Sequence, residues 1–525
     1  MANIKSILLI CWVGWGLLGA PGCSDDVSDG NGSDGDSDGD SDGDTDTDSD
    51  GDSDTDGDIS NQFGALGDTF RYGINGGHRN QGWGDDVQAE LEARAGCNSQ
   101  RISLPERHLS QWGYEIEVND MNAYAALGMT SQVAFLTSPI REHSTAPADA
   151  EDWELAYYIP VNLYEPVTLE NGEINPENYW AKYVYDTVQV YRQWIKVWEI
   201  WNEPDYTPNW SDTLTWSASP PTAAQLPRFN GSIYEYVRML RVSREAARLA
   251  DSDALIATGG IGYASFLNAI LRYSDNPEDG SVTDEYPQTG GAYFDVLSFH
   301  HYPIYTSGAS DAAVEGYLSH YQELAAELEA ADKTVVGVET TESGAPRFPL
   351  GDYPGGEAYA RNYIMKVMIK AHAAGIHGID WFTLSDGAAV GASDDPYDFM
   401  GLFEDTVSLT TIDEASITPT GTAYATLNDV LGGARYDAQT SEELPLQPVM
   451  DGEAFITRDG AQAIVLWAAF ADDSNPAELG IPATLQGTYT VYQWDYHETQ
   501  TTTTLDTALE TTMSLSATPT ILVAQ

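Results

Sequence analysis

Polar and apolar positions change rhythm several times along the chain. From Asn61 to about residue 431, short apolar runs alternate with stretches of helical periodicity. "TFRYGIN" (69–75) precedes a helical stretch beginning "DDVQAELEARAG", with Gly96 as its cap. "SQRISL" (99–104) precedes "DMNAYAALG", and "SQVAFL" (131–136) precedes a long excursion and a helix starting at Pro176. Asn175 is the expected cap of that helix, with proline at its first position. Trp180, Val184, Val188 and Tyr191 mark its buried face at helical spacing. "IKVWEIWNEP" (195–204) follows, then a helix over 233–250, "ALIATGG" (254–260), "FDVLSFHHY" (294–302) and a helix around 312–331. "TVVGVE" (334–339), a helix near 357–374 capped by Gly375, "GIDWFTL" (378–384) and a helix near 419–431 complete eight strand-plus-helix units.

Most of these strands are apolar on both faces, as in a parallel sheet clad by helices. Eight such units in a row predict a closed (β/α)8 TIM barrel over 61–433. An open doubly wound sheet is the rival, but "GINGGHRN" after the first strand is not a Gly-rich phosphate loop, which argues against a nucleotide fold. After Gly433 the texture turns to short alternating strands, as in "AFITRDGAQAIVLWAAF", "GTYTVYQWDY" and "SATPTILVAQ". This predicts an antiparallel β-sandwich over 434–525, the tail forming its last strand.

Against that frame, "VWEIWNEPDY" (197–206) stands out. Four apolar residues form a buried strand that carries Glu199 inside it and ends in Asn202, Glu203 and Pro204. Barrels of this kind keep their chemistry at the C-terminal ends of the strands. Glu203 lies at the end of the fourth strand and Glu339 at the end of the seventh, so the two can face each other across the mouth. Paired carboxyls across a cleft suit cleavage of a glycosidic bond, one protonating the leaving oxygen and the other attacking carbon or activating water. A lone Glu at a strand end is more often solvated or ion-paired; Asn, Glu and Pro arriving together after a buried strand favour the catalytic reading. Glu199 lies deeper and reads as a buried partner for a basic group. The "HRN" after strand one and Trp83 line either the cleft or the core.

The first residues and the charge add a second layer. Lys5, an apolar run from Ile7 to Leu18, and Gly-Ala-Pro-Gly-Cys predict a signal peptide over 1–22. The ending resembles a bacterial lipoprotein signal, which makes Cys23 the lipidated residue; simple secretion is the alternative. Ser24 after it favours the outer membrane over the inner. Residues 23–60 form an Asp/Gly/Ser-rich tether with almost nothing apolar to offset its ordering entropy. Its D-x-D-x-D-G pattern lacks the closing Glu and flanking helices of a calcium loop, so a solvated spacer is expected, with at most weak calcium binding. The tether's sixteen Asp account for only part of the formal charge of −59, so the folded body is itself acidic. Nucleic acid and anionic polymers are therefore poor partners, and a neutral ligand is expected. Fourteen Trp and 30 Tyr suit the flat apolar faces of sugars, though large cores use them too. Once the signal is removed, Cys97 is the only thiol of the folded part and no internal disulfide can form.

With these residues in place, the chain resembles the clan A glycoside hydrolases, retaining β-glycosidases on (β/α)8 barrels. The resemblance covers residues from about 68 to 431 together with the trailing β-domain, and is shared between the β-xylosidase/iduronidase family and the cellulase-containing family. "WEIWNEPD" is its most specific element and implies Glu203 as acid/base, with Asn202 bonding the sugar 2-hydroxyl. "KTVVGVET" implies Glu339 as nucleophile at the end of strand seven. "VETTESGAP" also holds Glu342 within a nucleophile-like "TESG". Glu339 is preferred because it follows a strand of ordinary length, Thr334 to Val338, and Glu342 is the alternative. The resemblance further implies that Arg101 in "QRISL" pairs with the nucleophile, that His300 and Tyr302 in "SFHHY" support it, and that Trp381 in "IDWF" forms the sugar floor. The expected enzyme acts as a monomer on a neutral β-linked poly- or oligosaccharide by double displacement with two Glu, without cofactor or metal. A carbohydrate-binding lipoprotein that had lost catalysis would lack one carboxylate, and both are present. The excursions at 137–175, 206–230 and 262–293 wall the expected cleft.

Overall fold

The computed structural model describes residues 66–67, 69–76, 82–306, 308–469, 473 and 476–525. The signal (1–22), the tether with Cys23, and the "HRN" at 78–80 lie outside these residues. Eight parallel strands close into a barrel in chain order: β1 (Arg71–Asn75), β2 (Ser99–Ser103), β3 (Gln132–Leu136), β4 (Ile195–Ile200), β5 (Leu255–Ala257), β6 (Val296–His301), β7 (Gly337–Ser343) and β8 (Gly378–Phe382). Each strand feeds a helix of the outer ring, and the strands are buried on both faces as the near-continuous apolar runs predict. No helix among the described residues is long and apolar enough to cross a membrane.

Helix ends follow their local chemistry. The helix Ile233–Ala250 begins with a capping box, the Ser232 hydroxyl accepting from Glu235 N while the Glu235 carboxylate accepts from Ser232 N. The helix expected from Pro176 begins three residues later, at Tyr179. Asn178 takes the capping role, its side chain accepting from Ala181 N at 3.0 Å. Asn175 instead accepts from Glu177 N at 3.1 Å and turns the chain just before it. The predicted buried face of Trp180, Val184, Val188 and Tyr191 is observed.

The barrel interior is layered. Leu66, Val133, Val197, Ala257 and Val296 form an apolar floor. Above it, inward side chains turn charged: Arg71 on β1, Arg101 on β2, Glu199 on β4, Glu339 on β7 and Asp380 on β8. Gly73 makes room for Asp380, since a Cβ there would stand 1.9 Å from its Oδ1.

Strand β7 departs from the expected 334–339. It starts at Gly337 and continues through Glu342 to Ser343. Its pairing with β6 shifts between Phe299↔Thr340 and His300↔Glu342, leaving Thr341 as the extra residue of a β-bulge. Thr340 bonds outward to Tyr317 and Ser343 outward to Tyr363, while Thr341 and Glu342 both turn inward.

The C-terminal domain is a six-stranded antiparallel sheet, in the order β14 (Thr502–Asp506), β13 (Thr488–Tyr492), β16 (Thr520–Ala524), β11 (Gln462–Ala468), β10 (Met450–Ile456) and β9 (Arg435–Tyr436). A two-stranded sheet of β12 (Ala477–Gly480) and β15 (Thr512–Leu515) covers it. Strand alternation splits the large sheet's faces. Ala454, Ile464, Leu466 and Leu522 join the small domain's own core, and Phe455, Val465, Trp467 and Ile521 join the barrel's. Polar contacts key this interface. The buried ammonium of Lys366 donates to Asp311 Oδ1 and to the Ser310 hydroxyl, both at 2.9 Å, and Trp467 Nε1 donates to Asp311 Oδ1 at 3.1 Å.

Removing one partner of that pair strands a buried charge. Asp311→Ala is expected to lower the unfolding free energy by about 3 kcal/mol, and the double variant Asp311→Ala with Lys366→Met to recover most of the loss. Urea unfolding of the single and double variants measures both.

Candidate active site

The turn after β4 delivers Glu203. Trp201 and Glu203 adopt positive φ, 76° and 47°, in the left-handed region that side chains rarely enter. The turn is held from three sides. Trp201 N donates to Leu136 O at 3.0 Å, Glu203 N to Gly259 O at 2.7 Å, and the Trp201 indole to Arg228 O at 2.7 Å. The apolar run of "VWEIW" is thus the buried frame that lets two strained residues project Asn202 and Glu203 into the mouth.

Across the mouth stands Glu342. Arg101 Nη1 donates to its Oε1 at 2.6 Å, Asn75 Nδ2 to the same oxygen at 3.2 Å, and the Tyr302 hydroxyl to its Oε2 at 2.7 Å. Arg101 also holds Glu199 through Nε at 2.8 Å and Nη2 at 3.1 Å, and Asn202 Oδ1 at 2.7 Å. Burial opposes the charge on Arg101, but Glu199 and Glu342 more than restore it, so its pKa lies above the usual value. Glu199, read from the sequence as a buried partner of a basic group, is the partner of Arg101.

His300 lies between the two carboxyls. Its Nδ1 is 3.1 Å from Glu203 Oε1 and 3.6 Å from Glu342 Oε2, and its Nε2 is 3.1 Å from the Thr341 hydroxyl. Burial lowers its pKa, and Glu342 and Glu203 together raise it above the ordinary value. Gly260 makes room for the ring: a Cβ there would stand 2.1 Å from Nε2. Glu203, His300 and Glu342 each place one polar atom within 4.8 Å of the others. These are metal-ligand types, but the arginines on both carboxylates already supply the positive charge a cation would bring.

Glu203 carries a second partner. Arg228 pairs with its Oε2 and lies 3.8 Å over the Tyr206 ring. Burial pushes the Glu203 pKa up, and Arg228 and His300 outweigh it, bringing it down to about 2.

Two expectations need correction in register. Glu339 does not reach the mouth. It is fully buried lower in the barrel, 2.6 Å from Arg71 Nη2, and Arg101 and Tyr302 meet Glu342 in its place. The reason is the bulge at Thr341, which carries β7 further and turns Glu342 inward. Trp381 is likewise fully buried. It faces the helix layer beside Tyr363, its indole donating to Met400 O at 2.9 Å. The next residue, Phe382, half-buried and followed by a cis peptide bond, turns toward the mouth with Tyr302 and Tyr397. Trp83 packs against the barrel core. A cleft of about 540 Å³ lined by Phe70, His372, His377, Arg435 and Tyr436 lies by the starts of β1 and β8, away from these residues.

Sequence reasoning missed Arg228, Asn75, Phe382 and Tyr397. Arg228 had a signal: it is the only Lys or Arg in the 206–230 excursion of an acidic chain. Asn75, last residue of β1, had strand-end position alone.

No protein-family model matches the sequence, and no curated protein is similar to it. Solved structures are. A family 39 glycoside hydrolase from Bacteroides cellulosilyticus aligns with a TM-score of 0.56 at 16% identity, covering 86% of this chain and 80% of that one. A thermostable family 51 α-L-arabinofuranosidase from Thermotoga petrophila aligns with a TM-score of 0.52 at 12% identity, over 87% of this chain and 96% of that one. A family 30 endoxylanase from Clostridium papyrosolvens gives 0.50 at 12% identity, over 87% and 97%. At such identities what is shared is the architecture: this chain has the barrel-plus-sandwich fold of those glycoside hydrolases, consistent with the clan A resemblance.

Proposed function

We propose that the chain is a retaining β-glycoside hydrolase acting on a neutral β-linked poly- or oligosaccharide, with Glu342 as nucleophile and Glu203 as acid/base. The observation that carries this reading is the facing pair. Oxygens of Glu203 and Glu342 lie within 4.8 Å of each other across the mouth, with Arg101 and Tyr302 both donating to Glu342. So short a gap leaves little room for a water between carboxyl and sugar, which favours direct attack; carboxyls about 5–5.5 Å apart belong to the retaining mechanism.

The roles follow from the contacts. Arg101, Asn75 and Tyr302 donate to Glu342 and hold it aimed, as a nucleophile must be. Glu342 attacks the anomeric carbon while Glu203 protonates the departing oxygen. Glu203 then takes a proton from water as that water displaces Glu342 from the sugar. Asn202, fixed through its carbonyl oxygen by Arg101, keeps its amide N–H groups for the sugar 2-hydroxyl. Phe382 and Tyr397, rather than Trp381, offer the aromatic surface at the mouth. Lipidation of Cys23 would hold the enzyme at the bacterial surface, with residues 24–60 as a spacer.

A screen of xylo-, gluco- and manno-oligosaccharides with product analysis tests the activity, and variants then separate the two carboxyls. Glu342→Ala removes the attacking group, so aryl glycosides and natural oligosaccharides should both lose at least about 10³-fold in kcat/KM. Glu203→Ala should lose about 10²–10⁴-fold on oligosaccharides and far less on dinitrophenyl glycosides, with added azide restoring turnover as a β-glycosyl azide. Should Glu339→Ala show the nucleophile pattern while Glu342→Ala stays active, the assignment on β7 falls.

Stereochemistry gives an independent reading. Proton NMR of the first product should show the β-anomer before mutarotation; an α-product would rule out double displacement. For the anchor, Cys23→Ala should move the protein from the membrane fraction to the soluble one with loss of the lipid mass, and unchanged fractionation and mass would refute it.

A further inference from the structure

Both oxygens of Glu203 are occupied. Oε1 faces His300 Nδ1 at 3.1 Å, and Oε2 takes the guanidinium of Arg228. A glycosidic oxygen accepting the proton of Glu203 must reach one of these two oxygens. His300 is packed against Gly260 and Thr341 deep in the barrel and cannot yield its side. The Arg228 side is the one that could yield: its guanidinium lies over the Tyr206 ring at the end of a long side chain, while its backbone is pinned by the Trp201 indole. Movement is therefore confined to the side chain.

Resting on the assignment of Glu203 as acid/base, we infer that Arg228 is a positioning residue that occupies the catalytic oxygen of the acid in the resting enzyme and is displaced by the leaving-group sugar. The consequence is a protonation state that follows the step. With the guanidinium in place Glu203 is held ionised, the state it returns to after each turnover, once the proton taken from water has passed to solvent. With the leaving group in its place the carboxyl loses its strongest cationic partner, takes up a proton from solvent and delivers it from Oε2 to the glycosidic oxygen; in the second step water occupies the same place and gives its proton to Oε2. The charged and titratable groups around the pair act in both states: His300 from β6, Arg101 from β2, Glu342 from β7, Asp205 from the loop after β4 and Tyr263 from the loop after β5. Only Arg228 among them stands on the oxygen that the leaving group needs. The interaction is absent from the motif "WNEPD" itself and is supplied by the excursion that precedes the helix Ile233–Ala250.

Two measurements test the inference. In the free protein, the Glu203 carboxyl carbon, identified by its absence in Glu203→Gln, is followed by carbon NMR. It should stay ionised from pH 8 down to pH 4 in the wild type and titrate inside that window in Arg228→Gln, with Arg228→Lys in between. In kinetics, the basic limb of kcat/KM for phenyl β-xyloside or β-glucoside should move up by about one pH unit or more in Arg228→Gln. The phenyl-to-dinitrophenyl ratio at pH 7 should rise about tenfold or more. A Glu203 titration identical in wild type and Arg228→Gln overturns the inference, as does a shifted titration with an unmoved basic limb. Full activity in both Glu203→Gln and Glu342→Gln would instead overturn the assignment of the two carboxyls, and the carbon titration would still report on Arg228.

Discussion

One buried guanidinium organises the mouth of the barrel. Arg101 gives Nε and Nη2 to Glu199 on β4, Nη2 also to Asn202 beyond it, and Nη1 to Glu342 on β7. Its planar fork makes this possible; a lysine could supply charge but not three fixed directions. It lies 4.2 Å over the Phe135 ring, so its own orientation is set by packing on β3. Four strands are thus tied through one side chain, and the geometry between Asn202 and Glu342 depends on it more than on either turn.

Such a centre must also balance its charge away from water. Arg71 with Glu339 and Arg101 with Glu199 are near-neutral pairs below the mouth. Asp380, adjacent to both, would leave an excess negative charge. Burial raises its pKa to about 8 against the pull of Arg71, so it stays largely protonated at neutral pH. Higher up, Glu203 meets Arg228, and His300 stands between Glu203 and Glu342. With Asp380 neutral, three arginines, joined by His300 when it is protonated, face four carboxylates. The barrel therefore keeps charged residues where many barrels keep Val and Ile, because each has a partner within reach.

Much of this was legible in the sequence, and the misses share a cause. The eight-strand order, the trailing sandwich, and the positions of Arg101, Asn202, Glu203, His300 and Tyr302 follow from periodicity and the resemblance. Strand parity counted from Thr334 could not foresee the bulge at Thr341, because a bulge is set by pairing with β6, not by the strand's own residues. Trp381 was mistaken in the same way: a one-residue difference in parity separates the helix layer from the mouth. Arg228 belongs to a loop whose path no periodicity encodes, and its role emerged only from what it touches.

The strand order of the C-terminal sheet has a consequence for how the chain matures. β16, Thr520–Ala524, is an inner strand lying between β11 and β13. Until those residues emerge, two strand edges stay unpaired, and β11 presents Val465 and Trp467 on one face and Ile464 and Leu466 on the other without their neighbour. Sheet closure thus comes after the barrel strands have been made, and it covers both the small domain's core and the adjoining flank of the barrel at once. An emerging chain is most exposed to mispairing just before β16 arrives, after the barrel strands carrying the candidate catalytic residues have been made.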